Sequence, residues 1–120
     1  MPQIILDDGT TFDVEFGKRL VLALEDGGVD ILHRCGGFAR CTTCRVQFAV
    51  GEPQRMTEAE RDRLAETGLY GQYRLSCQIY CDQNMIFKWI HRLSQSEYDS
   101  NGNRPQDRIT PEAVWGKKPG

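Results

Sequence analysis

The sequence predicts an α+β domain, a mixed sheet with a packed helix and a metal-binding loop. Three observations point there. Apolar residues alternate across an Asp-Gly turn near the start, a short leucine-rich helix follows, and cysteines then crowd a glycine-containing stretch before strand-like alternation resumes.

Ile4-Ile-Leu6, then Asp8-Gly9, then Phe12, Val14 and Phe16 alternating with Asp13 and Glu15, read as a β-hairpin with one buried face. Leu20 and Leu24 share a helical face, and Gly27-Gly28 supplies the stop. Val46, Phe48 and Val50 give a third strand, closed by Gly51. Thr57-Glu-Ala-Glu60 is a capping box that opens a helix to about Glu66, ended by Gly68. That helix carries Leu64 as one of few large apolar residues, so a charge-laced outer face with a thin buried stripe is expected. Leu75, Cys77 and Ile79 alternate as a further strand, and Met85–Ile90 is expected as the last.

From Ser94 the composition turns to Ser, Gln, Asn, Asp, Gly and Pro. The expected division is a domain over 1–93 and a flexible extension over 94–120. The alternative is that Trp115 docks on the domain or on a partner.

The chain of 120 residues is long enough for one modest core. No apolar run reaches the length of a membrane span. No secretory signal is visible at the start, so a reducing, cytoplasmic address is expected, with the five cysteines acting as ligands or thiols. The formal charge of −2 argues against nucleic-acid binding and permits docking on a basic partner.

The chemistry lies in Cys35-Gly-Gly-Phe-Ala-Arg-Cys41-Thr-Thr-Cys44, answered by Cys77 within Arg74-Leu-Ser-Cys-Gln. C-x5-C-x2-C, a gap of 32 residues and a fourth cysteine suit a sulfide-bridged pair of irons, each needing two thiolates. Structural zinc on four cysteines usually presents two C-x2-C knuckles, and only Cys41 and Cys44 have that spacing. A thioredoxin-type dithiol should open a helix, whereas a strand is expected after Cys44.

Over residues 3–92 these motifs resemble the [2Fe–2S] ferredoxins, in particular the adrenodoxin-like and bacterial iron–sulfur-assembly group with C-x5-C-x2-C…C spacing. The resemblance implies a β-grasp fold and a [2Fe–2S] cluster on Cys35, Cys41, Cys44 and Cys77. It also implies one-electron transfer between a flavoprotein reductase or other donor and acceptor proteins, by a monomer that is not an enzyme. Service to iron–sulfur assembly and a zinc-stabilised interaction module are the alternatives. In adrenodoxin-like proteins an acidic helix docks on the reductase; here Glu58, Glu60, Asp62 and Glu66 are mixed with Arg61 and Arg63, which weakens that parallel.

Around the ligands, Gly36 and Gly37 let backbone N–H groups approach sulfur, and Thr42 and Thr43 offer hydroxyls. Arg34, Arg40 and Arg45 bring positive charge that favours a reduced centre. His33 reads as a loop residue, and Phe38 as a partner contact or a cover against water. Cys81 lies four residues beyond Cys77 and reads as a small buried hydrophobe.

Overall fold

The computed structural model describes residues 2–29, 44–89 and 105–117. The expected hairpin forms from β1 (Gln3–Leu6) and β2 (Thr11–Asp13). Its turn closes through Gly9 N–H donating to Leu6 O and Leu6 N–H to Thr10 O, with Asp8 accepting from Thr10 N–H. Ile4, Leu6 and Val14 face the core and Phe12 packs at its edge. Phe16 departs from the expected buried face: it lies past the end of β2 and is 70 % exposed.

Helix α1 (Leu20–Asp26) buries Leu20, Val21, Leu22, Ala23 and Leu24, a wider face than two leucines suggest. Its end is tied by Gly27 N–H to Ala23 O, Gly28 N–H to Glu25 O and Val29 N–H to Leu24 O. The chain returns as β3 (Arg45–Val50), followed by β4 (Arg55–Thr57), a strand that the alternation does not signal. Helix α2 (Glu58–Thr67) begins where the cap places it: Thr57 Oγ accepts from Glu60 N–H at 3.1 Å, and Gly68 closes the helix.

The main sheet has the order β2-β1-β6-β3-β5, with β5 at Arg74–Leu75 and β6 at Met85–Trp89. β1 pairs with β6 in parallel and every other neighbour is antiparallel. This is the mixed sheet of the expected α+β, β-grasp class. Parallel pairing requires a long crossover, and here the crossover holds α1, α2 and both segments that border the site.

Two expectations are corrected. Leu75 to Ile79 is not one strand: β5 stops at Leu75, and Ser76–Gln78 form a 3-10 turn. Nor is β6 the last strand. β7 (Trp115–Lys117) pairs antiparallel with β4, and Ile109 is buried. The extension expected to be flexible is therefore packed on the domain over residues 105–117. Its grip is physical: Arg55 stacks 4.0 Å from the Trp115 ring centroid, Tyr80 lies 6.1 Å from the same ring, and Ile109 N–H donates to the Tyr80 hydroxyl. The composition hides this because a few large residues dock a segment that is otherwise polar.

The carboxylate of Glu60 does not turn back to its own helix. It is fully buried and receives Arg74 Nε at 2.8 Å, an Arg74 terminal nitrogen at 3.2 Å and Leu75 N–H at 2.7 Å. Arg74 also donates to Pro53 O and Arg55 O. Burial pushes the Glu60 carboxyl above the usual carboxylate range, while Arg74 and Leu75 N–H pull the other way. The pair fixes α2 to β5.

Two stability measurements follow. Glu60→Gln should cost about 3 kcal/mol in urea unfolding, because it leaves the Arg74 guanidinium buried without its closest counter-charge; a cost near zero would mean Arg74 is satisfied by its other acceptors alone. Gly51 has φ 80°, and a Cβ there would sit 2.1 Å from Asn84 O. Gly51→Ala should therefore lose about 2 kcal/mol or more. Gly9→Ala, at φ 90° in open space, should lose about 1 kcal/mol.

Candidate metal centre

Two of the four expected ligands, Cys44 and Cys77, lie in the described residues; Cys35 and Cys41 lie outside them. So do Arg34, Gly36, Gly37, Phe38, Arg40, Thr42, Thr43 and the two histidines, His33 and His91. Among the described residues no set of three potential ligands converges.

Cys44 stands immediately before β3 and Cys77 at the centre of the 3-10 turn, and both are buried. Their segments are stitched together. β5 pairs with β3 through Arg45 and Leu75, and Ser76 then donates to Cys44 O twice, from its N–H at 3.2 Å and its hydroxyl at 2.7 Å. The segments of the two cysteines are thus fastened together by Ser76, which lies within the Arg74-Leu-Ser-Cys-Gln motif.

In the turn at Cys77 the backbone carbonyl is taken by a side chain and not by the sheet. Arg19 Nε donates to Cys77 O at 2.6 Å. Arg19 is wholly buried, and its charge reaches the Cys77 and Cys44 thiols. Burial lowers its pKa from the ordinary arginine value, and those sulfurs oppose the shift. Residues 17–20 run antiparallel to 79–81, through Gly17 N–H to Cys81 O, Leu20 N–H to Ile79 O and Cys81 N–H to Lys18 O. That pairing sets Arg19 beside the turn. Gln78 places its side-chain amide 3.6 Å from Cys77 Sγ, while its carbonyl oxygen accepts from the Thr57 hydroxyl at 2.7 Å. Arg19, a lone arginine before a helix, does not stand out as a site residue in the sequence, and Gln78 is marked only as the residue after Cys77 in the Arg74-Leu-Ser-Cys-Gln motif.

Arg45, expected among the cations near the site, has its guanidinium 5.2 Å from the Tyr73 ring centroid. Cys81 is buried beside Lys18 and Asp82, and burial first, then the Asp82 charge, pushes its thiol up to about 12. Its burial is that of the small hydrophobe expected.

The donor set fits a soft metal centre: buried sulfurs from separate segments, a nearby buried cation and an amide directed at sulfur. The profile of the 2Fe-2S iron-sulfur cluster binding domain matches residues 4–82. The chain belongs to the [2Fe–2S] ferredoxin family. Terpredoxin from a Pseudomonas species is 32 % identical over 95 residues, covering 71 % of this chain and 90 % of terpredoxin. One component of the Na(+)-translocating NADH-quinone reductase of Chlamydia felis is 35 % identical over 79 residues, 66 % of this chain. This ferredoxin chain spans only 18 % of that component's length. Among solved structures, the ISC-like [2Fe–2S] ferredoxin FdxB of Pseudomonas putida superposes with a TM-score of 0.64 at 25 % identity, covering 80 % of this chain and 99 % of FdxB. A reduced cysteine-to-serine variant of putidaredoxin from the same species gives 0.56 at 29 % identity, covering 75 % and 95 %.

The matched family model and the solved [2Fe–2S] ferredoxins make a [2Fe–2S] cluster the cofactor here, and zinc is set aside. Among the described residues no helix is long and apolar enough to cross a membrane.

Serine at position 81 should leave iron content and the visible spectrum unchanged, and the native Cys81 thiol should resist alkylation until the protein is unfolded. Serine at position 77 should abolish or severely deplete the cluster. The reverse pattern would move the fourth ligand to Cys81.

Proposed function

We propose that Cys35, Cys41, Cys44 and Cys77 are the four thiolate ligands of the cluster, and that the chain is an electron carrier whose only exchanged species is the electron. The observation that carries this reading is the apposition of buried Cys44 and Cys77, fastened through Ser76. When bound, the cluster takes up and releases one electron at a time.

The chain's residues supply the surroundings. Arg19 offsets negative charge at the sulfurs from a buried position, where screening by salt is weak. The Gln78 amide stands within reach of Cys77 Sγ. The Glu60–Arg74 pair, bonded to Leu75 N–H, holds the ligand turn still between redox states. Little reorganisation on electron arrival is the physical requirement for fast exchange.

In this reading the donor is a flavoprotein reductase and the acceptor a second redox protein. The reading is supported by the likeness to terpredoxin over nearly its whole length and to a component of an NADH-quinone reductase. The cysteine usage supports a reducing, cytoplasmic compartment, and a monomer suffices for the role. Donation to iron–sulfur assembly is the second reading, favoured by the superposition on ISC-like FdxB.

The test is kinetic. The purified holoprotein, mixed anaerobically with NADH and a catalytic flavoprotein ferredoxin reductase, should bleach in the visible with one electron taken per chain. It should then reduce cytochrome c in a second mix. A protein that dithionite reduces but no flavoprotein reductase does would remove the reductase-fed reading.

A further inference from the structure

Residues 105–117 do more than cover the domain. The Arg19 guanidinium that holds Cys77 O through Nε donates, through one terminal nitrogen, to Gln106 O at 2.9 Å and Arg108 O at 3.2 Å. The Gln78 amide nitrogen that stands by Cys77 Sγ also lies 2.8 Å from Thr110 O. Two side chains from different segments therefore each touch the same ligand residue and the same C-terminal stretch. Both are buried, and Thr57 holds Gln78 from the far side.

We propose that Arg19 and Gln78 are positioning residues that couple the C-terminal segment to the redox centre, so that docking of residues 105–117 sets the charge and N–H donor facing the Cys77 sulfur. The inference rests on Cys77 being a ligand. It extends that reading by assigning the segment a role beyond stability.

The physical argument is about orientation. An arginine side chain has many rotamers, and its planar fork is fixed only when its donors are engaged. Here the carbonyls of Gln106 and Arg108 take one arm and the Cys77 carbonyl takes another. A side-chain amide can present either its oxygen or its nitrogen. The Thr57 hydroxyl on its oxygen and the Thr110 carbonyl beside its nitrogen orient Gln78 so that the N–H, not the oxygen, faces sulfur. Positive charge and N–H donors at the sulfurs favour the more negative, reduced centre, so both contacts raise the midpoint potential. Loosening the segment would free both groups and lower it.

The experiment uses full-length holoprotein with Arg19→Gln, Arg19→Lys and Gln78→Leu. It combines redox titration with hydrogen exchange read on peptides covering residues 105–117. R19Q should lower the midpoint and raise exchange at 105–110. R19K keeps the charge and loses the fork, so it should raise exchange and lower the midpoint, by less than R19Q does. Q78L should lower the midpoint and raise exchange around Thr110. An R19Q protein with the parent midpoint, or with a lowered midpoint and parent exchange, would overturn the coupling. If R19Q takes up no iron, R19K decides: raised exchange at 105–110 with a lowered midpoint supports the coupling, and unchanged exchange or the parent midpoint overturns it. Full iron in Cys77→Ser would instead remove the ligand assignment, a result the exchange data cannot produce.

Discussion

The bond pair from Ser76 to the carbonyl of Cys44 is the constraint on which the site depends. It joins the start of β3 to the turn after β5, two places separated by a helix, a short strand and several turns. Sheet pairing brings the segments alongside as far as Leu75, where the 3-10 turn of Ser76–Gln78 begins. Ser76 and Arg19 divert the backbone into a tight turn, the one by donating to Cys44 and the other by taking the Cys77 carbonyl.

Around that turn the protein places charge where solvent cannot reach it. Arg19 and the Glu60–Arg74 pair are both buried, and both are tied to backbone groups of residues 74–77. Buried ions are costly unless their donors and acceptors are met, and here the partners are the Glu60 carboxylate and the carbonyls of Pro53, Arg55, Cys77, Gln106 and Arg108. Such a shell resists deformation, which suits a centre that gains and loses charge repeatedly. The docked C-terminal segment belongs to the same shell, since its carbonyls complete Arg19.

Much of this is legible in the residues. Alternation across Asp8-Gly9 predicts the hairpin, Thr57 and Gly68 bound α2, and the C-x5-C-x2-C…C pattern points to the cofactor class. What escapes are interactions between distant side chains and backbone. Glu60 fits a capping box by spacing, yet its carboxylate is drawn to Arg74 because that arginine is buried opposite. Leu75, Cys77 and Ile79 alternate as a strand would, yet local period two says nothing of a carbonyl taken by Arg19. The polar composition of 94–120 argues for disorder, while Ile109 and Trp115 help to seat residues 105–117.

The most direct measurement is metal and sulfide analysis of anaerobically purified full-length protein, followed by electron paramagnetic resonance after reduction. About two irons and two acid-labile sulfides per chain, with a spin-one-half signal that appears on uptake of about one electron, is the predicted result. A zinc-loaded or metal-free protein, silent to dithionite, would contradict the account.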